Sequence, residues 1–398
     1  MGCLAMRPLR IAFVDYVVDP TRPGRSGLSD IVWDMAGVLV RKGHTAYVVG
    51  SYAVKQYPED GVRVIDLDLP SWIYRNFLTQ FLLLWRAFRE LAKLRPDVVH
   101  TPEYVSSAFL SVVLPDIPVV LTVPGNIYHR LSVADGHSYE WWYAQFLKLT
   151  ARVSAKRCAR VVAISRDMRD WWIRIGAHPN RTPWIPLGAD PRRFHRDPDA
   201  RRTLGVQTQG TLLVFVGRLA REKGIRDLLT AAITAKSTLR QSGAQIVLVG
   251  RGPLEPEVRG VIEANDLGEV IRMVPWVPQE DVHLWYSAAD AVLLPSRTEG
   301  MSRTIPEAFL CGSPIIGTAI TGTVDHVVPG ITGLLVPVGD AALLAEVLEH
   351  VARDATALGQ MRCRSQAYAC NHLSWQTVVE RVIQEVYVPL TSEGRKRR

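Results

Sequence analysis

The sequence predicts an α/β chain built as two doubly wound parallel-sheet domains, and three observations carry that prediction. Short, continuously apolar runs alternate with longer amphipathic segments along the chain. Runs of this kind, bounded by turn residues, mark strands buried on both faces. The alternation restarts after a Pro- and Gly-containing stretch near the middle. The length of 398 residues also exceeds one ordinary domain, given a prior of roughly 150 residues each.

Leu9-Arg10-Ile11-Ala12-Phe13-Val14 reads as the first strand. Leu28 to Lys42 has helical periodicity and is stopped by Gly43, a residue suited to a left-handed helix end. Strands follow at Thr45–Val49, Asp97–His100, Pro118–Thr122 and Val161–Ile164, with helical stretches between several of them. Trp184-Ile185-Pro186-Leu187-Gly188-Ala189-Asp190-Pro191 reads as the linker, and the arginines at 192, 193, 196, 201 and 202 read as part of it by composition. In the second half, Thr211–Val216 runs into Gly217 and Gln245–Val249 into Gly250. Ala291–Leu294 and Pro314–Thr318 complete the visible strands. The expected boundaries are 1–188, 189–374 and a C-terminal segment 375–398. A ligand is expected at the carboxyl ends of such strands.

Composition narrows the class. Hydrophobic residues make up 47% and charged residues 22%, as in a water-soluble globular chain. The five cysteines show no CxxC pair, so neither a disulfide framework nor a zinc site is indicated and a reducing compartment is expected. Met1-Gly2-Cys3 lacks the Ser or Thr a myristoylation signal wants, since Met6 stands there. No signal peptide and no membrane-spanning run is read, so the expected location is cytoplasmic. The net charge of +8 suits anionic partners. The basic residues do not interleave with aromatics as a nucleic-acid groove requires, so no nucleic-acid partner is expected. Trp72 to Lys93 is aromatic, amphipathic and basic, which allows peripheral contact with an acidic membrane, as at the inner face. Asp66-Leu67-Asp68 has the form of a metal-binding DxD, but it lies early, before Pro70, and no metal role is assigned to it.

Three stretches carry chemistry. In Glu299-Gly300-Met301-Ser302-Arg303-Thr304-Ile305-Pro306-Glu307, one carboxylate follows a strand and the other opens what reads as a helix. Carboxylates so placed accept paired hydroxyl hydrogen bonds, and the intervening amides suit phosphate oxygens. In Val216-Gly217-Arg218 through Lys223-Gly224, two cations hang over a loop after a strand, where they would stabilise a departing diphosphate. Gly250-Arg251-Gly252-Pro253 is a third strand-end turn.

In that order, together with Ile185-Pro186-Leu187-Gly188-Ala189-Asp190, Leu294-Pro295-Ser296, Gly312-Ser313-Pro314 and Gly330-Ile331-Thr332-Gly333, these motifs resemble glycosyltransferase family 4. That family is the large retaining group with the GT-B fold, two facing Rossmann-like domains and a cleft between them. The resemblance implies a sugar transfer from a nucleotide-diphosphate sugar, with retention of configuration and no metal or other cofactor. The acceptor is left open among a lipid, a saccharide and a small molecule. Arg218, Lys223 and Glu299 are the implied catalytic residues. Gly27, Gly217, Gly250, Gly252, Gly300, Met301, Ser302, Arg303, Thr304 and Glu307 are the implied donor-binding residues. Glu307 would hold the ribose and Glu299 the transferred sugar. No covalent nucleophile is assigned, and front-face attack assisted by the leaving phosphate is the usual proposal. The resemblance also implies a last helix, around Trp375–Val388, crossing back to the first domain.

The chain departs from the pattern in the first half. Ser26-Gly27 stands where a Gly-Gly pair is common, and Thr122-Val123-Pro124 lacks the usual histidine. His100, Asn126 and His129 are the acceptor-side candidates. Pro275, beside Trp276, replaces a Gly near the nucleobase. The competing readings are a nucleotide-sugar epimerase or hydrolase, and a degenerate nucleotide-sugar-binding protein. The first would consume donor without an acceptor, and the second would bind without turnover.

Overall fold

A computed structural model describes residues 7–14, 27–50, 61–69, 77–122 and 139–396. The chain divides into two compact units, one of Met1–Leu187 with Val378–Arg398, the other of Gly188–Thr377.

The first unit is a parallel sheet of six strands, β1 (Arg10–Val14), β2 (Thr45–Gly50), β3 (Arg63–Asp66), β4 (Val98–Thr101), β5 (Val119–Thr122) and β6 (Arg160–Val162). Their order is β3-β2-β1-β4-β5-β6. The four residues Ile11–Val14 of β1 and all of β4 and β5 are buried, as strands covered on both faces must be. The flanking helices include Gly27–Arg41, Phe77–Leu94, Tyr104–Val113 and Tyr139–Arg157. Capping fixes where two helices begin. The Glu103 carboxylate accepts from the Val105 and Ser106 amides at 2.8 and 2.7 Å, and the Ser165 hydroxyl accepts from Met168 at 3.3 Å. Gly43, with φ at +83°, turns the chain from the first helix into β2.

The segment Val378–Arg398 belongs to this unit through specific bonds. Lys42 pairs with Glu380 at 2.6 Å, and Arg381 donates to the Trp184 carbonyl at 2.9 Å. A π-helical turn, Ile383–Tyr387, then aims the Tyr387 hydroxyl at His100.

The second unit repeats the plan with β7 (Leu212–Val216), β8 (Gln245–Val249), β9 (Ile271–Val274), β10 (Ala291–Leu294), β11 (Ile315–Thr318) and β12 (Gly333–Val336). All pairings are parallel, in the order β12-β11-β10-β7-β8-β9. Leu213, Phe215, Ile246, Leu248 and Leu293 of the sheet pack against Leu228, Leu348 and Val351 of the covering helices. Each such side chain contributes about 1.5–3 kcal/mol by leaving water.

The chain enters and leaves this unit side by side. The Ala189 amide donates to the Leu373 carbonyl and the Trp375 amide to the Ala189 carbonyl, at 2.9 and 3.0 Å. The arginine-rich stretch after Asp190 is folded onto the unit rather than loose. Arg192 grips both Asp190 oxygens, and Arg201 reaches Asp290 at 2.6 Å and the Ala288 carbonyl at 2.9 Å. Among the described residues no helix is long and apolar enough to cross a membrane.

Candidate active site

In the second unit, β7 and β10 are neighbours, and the strands that follow each in sequence lie on opposite sides. A crevice therefore opens at the carboxyl ends of these two strands, where their loops part. Gly217, Arg218 and Lys223 lie on the loop after β7. Glu299, Gly300, Met301, Ser302 and Arg303 follow β10, and Gly250 and Gly252 follow β8.

Backbone packing holds these loops in register. The Gly217 amide donates to Val249 O at 3.0 Å and the Leu219 amide to Arg251 O at 2.9 Å. A Cβ on Gly250 would fall 2.1 Å from the Gly217 carbonyl oxygen, so only glycine fits. The Arg297 guanidinium clasps Asp227 at 2.8 and 2.6 Å, while the Arg297 amide donates to Glu222 O at 2.9 Å. This brace ties the loop after β10 to the segment after β7.

The two loops meet at Lys223 and Glu299. Lys223 Nζ lies 2.5 Å from Glu299 Oε1, and the Ser296 hydroxyl donates to the same oxygen at 2.9 Å. Thr318 in turn donates to the Ser296 carbonyl. The Lys223 and Glu299 side chains are 26% and 15% exposed, so the pair is shielded but within reach of a ligand. Arg218 pairs with Glu222, four residues on, and stays largely exposed.

Glu307 corrects one expectation. It does not open its helix; Thr304–Leu310 begins three residues earlier, and Glu307 lies in its first turn. Its carboxylate is buried, accepts from the Tyr286 hydroxyl at 3.2 Å and faces Arg303 at 3.3 Å. Burial and this carboxylate push the Tyr286 phenol well above its ordinary range, so it remains a donor. Ser313 holds the Tyr286 carbonyl at 2.5 Å. Met301 and Ser302 are buried between the two glutamates, and Thr304 is the first helical residue.

The structure thus joins Lys223 to Glu299 and Arg303 to Glu307. Sequence reasoning missed Ser296, Tyr286, Glu222 and the Arg297–Asp227 brace. Only Ser296 and Glu222 had a signal, as hydrogen-bonding residues three and four positions from Glu299 and Arg218.

No group of three or more His, Cys, Asp or Glu that could hold a metal occurs among the described residues. Asp66-Leu67-Asp68 is a turn. Asp66 Oδ1 accepts from the Asp68 amide at 2.9 Å, Asp68 has φ at +47°, and Arg86 binds the Leu67 carbonyl at 2.8 Å.

In the first unit, Gly27 starts the helix Gly27–Arg41 after β1. Asn126 and His129 lie outside the described residues. His100 corrects the acceptor-side assignment, because it is a core residue at 2% exposure. Its Nδ1 lies 2.7 Å from the Tyr387 hydroxyl, its Nε2 2.7 Å from Thr122 Oγ1, and its ring stacks on Phe13. Both ring nitrogens are engaged, and burial pulls the imidazole down to about 3.

A pH prediction follows from His100. Unfolded, its imidazole takes a proton near 6.5; folded, only near 3. Between these values the unfolded chain binds a proton that the native chain does not, so stability is full above 6.5 and falls as pH drops toward 3. From pH 7 to pH 5 the loss is about 2 kcal/mol. His100→Gln, which does not titrate, should show a smaller fall in melting temperature over that interval. Equal falls in both proteins would refute the assignment.

Comparison with known proteins bears on the family and the fold. The family described as "Glycosyl transferases group 1" matches residues 210–354, and "Glycosyltransferase Family 4" matches residues 25–193. A D-inositol 3-phosphate glycosyltransferase of Catenulispora acidiphila is 28% identical over 98% of each chain. Sucrose-phosphate synthase of Thermosynechococcus elongatus superposes with a TM-score of 0.80 at 22% identity, covering 96% of this chain and 99% of that one. Anabaena Alr3699/HepE in complex with UDP-glucose does so with a TM-score of 0.73 at 19% identity, covering 96% and 100%. These structures share the GT-B fold with the chain.

Proposed function

Because the chain belongs to the group 1 glycosyltransferases of family 4, we propose that the loops after β7 and β10 hold the diphosphate and the sugar of its nucleotide-sugar donor. The protein transfers a sugar from such a donor to an acceptor. The ion pair of Lys223 with Glu299 at the topological switch carries the reading. It sets a cation where diphosphate charge grows and a carboxylate where sugar hydroxyls bind.

In the proposed reaction the bond between the anomeric carbon and the diphosphate oxygen breaks. Lys223 and Arg218 take up the charge on the departing diphosphate without a metal. The acceptor hydroxyl attacks from the same face, and its proton passes to the departing phosphate oxygen, which gives retention. Glu299 orients the sugar and Glu307 the ribose. The buried Tyr286 hydroxyl and Arg303 hold the Glu307 carboxylate in place. The first unit selects the acceptor. Its Phe77–Leu94 helix, with Phe81, Leu82 and Trp85 exposed beside Arg86 and Arg89, is proposed to rest on an acidic membrane surface.

The test is a thermal-shift series with UDP-, GDP-, ADP- and TDP-sugars in EDTA. One donor should raise the melting temperature by mass action. Glu307→Gln, which keeps an acceptor for Tyr286, should weaken that donor about 10- to 100-fold through loss of charge-assisted hydrogen bonds. Donor affinity unchanged in Glu307→Gln would remove Glu307 from the site. Donor consumed at equal rate with and without every acceptor tried would favour a hydrolase.

A further inference from the structure

Three guanidiniums gather at the amino edge of the second sheet, where Asp290 precedes β10 and the Gly312 turn leads into β11. This edge lies away from the carboxyl strand ends that carry Lys223 and Glu299. Asp290 is the carboxylate the cluster shares. Arg201 Nη2 lies 2.6 Å from its Oδ2 and Arg362 Nη2 3.5 Å from its Oδ1, while the Leu212 amide donates to Oδ2 at 2.8 Å. Backbone carbonyls fix both arginines in place. Arg201 Nε donates to Ala288 O at 2.9 Å and Arg362 Nη2 to Ala289 O at 3.0 Å.

Arg196 is the third member. A Cβ built on Gly312, whose φ is +78°, would lie 3.4 Å from Arg362 Cγ and 3.7 Å from Arg196 Cδ, so the two stems meet over this glycine. Among the described residues Arg196 makes no hydrogen bond and no ion pair. The nearest acids in sequence are engaged elsewhere. Asp197 Oδ1 accepts from the Asp199 amide at 2.8 Å, and Asp199 pairs with Arg202 at 3.1 Å. Three cations thus face one carboxylate, a surplus of two positive charges. The Arg362 side chain is only 17% exposed, so water screens this surplus incompletely. Burial draws the Arg362 guanidinium below its ordinary range; Asp290 opposes this, and the charges of Arg196 and Arg201 add to it.

We propose that Arg196, Arg201 and Arg362 form a site for a phosphate dianion, free or as a monoester, separate from the donor crevice. The charge of such a group, about −1.5 to −2, matches the surplus. A guanidinium fork binds phosphate oxygens in pairs, and Arg196 has its whole fork to offer. The bonds described above leave Nη1 of both Arg201 and Arg362 to complete the site. A phosphate seated there would relieve the repulsion that the fold imposes on the three side chains.

The full chain is titrated with inorganic phosphate in chloride buffer at pH 8 by calorimetry. The donor crevice could also take phosphate, so the titration is repeated on the Arg218→Ala, Lys223→Ala double variant, which should still bind one phosphate. In that background Arg196→Gln should weaken binding at least about tenfold, through loss of charge-assisted hydrogen bonds. Arg202→Gln removes an equal charge beside the cluster and should change affinity by less than about threefold. Without phosphate, Arg196→Gln should melt no lower than the unsubstituted protein, because it removes repulsion and no bond. Glycerol phosphate separates the two sources. Tighter binding than inorganic phosphate assigns the site to monoesters, and weaker binding assigns it to the free ion. Phosphate binding lost in the double variant would place it in the donor crevice and overturn the proposal. So would equal losses in Arg196→Gln and Arg202→Gln, which mark diffuse attraction, a lower melting temperature for Arg196→Gln without phosphate, or no binding of either compound.

Discussion

Lys223→Ala is expected to lower kcat about 10²–10³-fold, the cost of removing one fixed charge-stabilising donor from an enclosed site. Departure of the nucleotide diphosphate leaves charge on its terminal oxygen, and Lys223 is placed by the loop after β7 to meet it. The substitution also strips Glu299 of its cation and leaves the Ser296 hydroxyl on the same oxygen. An uncompensated carboxylate beside a diphosphate repels the donor, so KM should rise as well. Arg218→Ala should cost less, because Arg218 is 63% exposed and shares its charge with Glu222. Stability separates this role from a structural one. A partly exposed ion pair contributes about 0–1 kcal/mol, so the melting temperature should hardly move. In a cycle with Glu299→Gln the losses should be strongly non-additive, since the two groups touch. A kcat within about threefold of the unsubstituted protein would dismiss Lys223 from the chemistry.

The elements that sequence reasoning found and missed divide along burial. β1, β4, β5, β7, β8, β10 and β11 are inner strands, and their apolar runs stood out. β3 and β9 are sheet edges whose half-exposed sequences Arg63-Val64-Ile65-Asp66 and Ile271-Arg272-Met273-Val274 break the apolar run with charges. An edge strand covered on fewer sides needs no continuous apolar signature; the edge β6 is nonetheless buried and was read, and the edge β12 carries Leu334-Leu335-Val336, which read as part of a motif rather than as a strand.

The site was legible where chemistry and turn geometry coincide. The glycines at the ends of β7 and β8 and the glutamates after β10 are local patterns. What joins them is not local. Asp227 and Arg297 are far apart in sequence, and nothing in either neighbourhood announces the other. Tyr286 reaches Glu307 across 21 residues. His100 shows the opposite error, because its chemistry invited a functional role. Its environment, made by Phe13, Thr122 and Tyr387 from three separate segments, makes it a core group.

Gly224→Ala is expected to damage both stability and turnover, out of proportion to the one methyl group it adds. Gly224 links the short turn carrying Lys223 to the helix Ile225–Thr234, with φ at +68°. A side chain in that left-handed region costs about 1–2 kcal/mol by itself. The larger cost is contact, since a Cβ there would sit 1.8 Å from the Pro295 carbonyl oxygen at the end of β10. Neither partner is a flexible side chain, so relief requires the loops after β7 and β10 to move apart. The same loops hold Lys223 and Glu299 at 2.5 Å, and a separation of about 1 Å suffices to cost 10²-fold in rate. The melting temperature should fall by several degrees, at about 2–4 °C per kcal/mol for a unit of this size. Gly260→Ala is the control. Gly260 lies inside the helix Glu255–Ala264 with open space around it, and alanine there should stabilise by about 0.5–1 kcal/mol. If Gly224→Ala matched the unsubstituted protein in melting temperature and kcat, the two loops would have to be compliant, and the fixed geometry on which the Lys223–Glu299 argument depends would go with them.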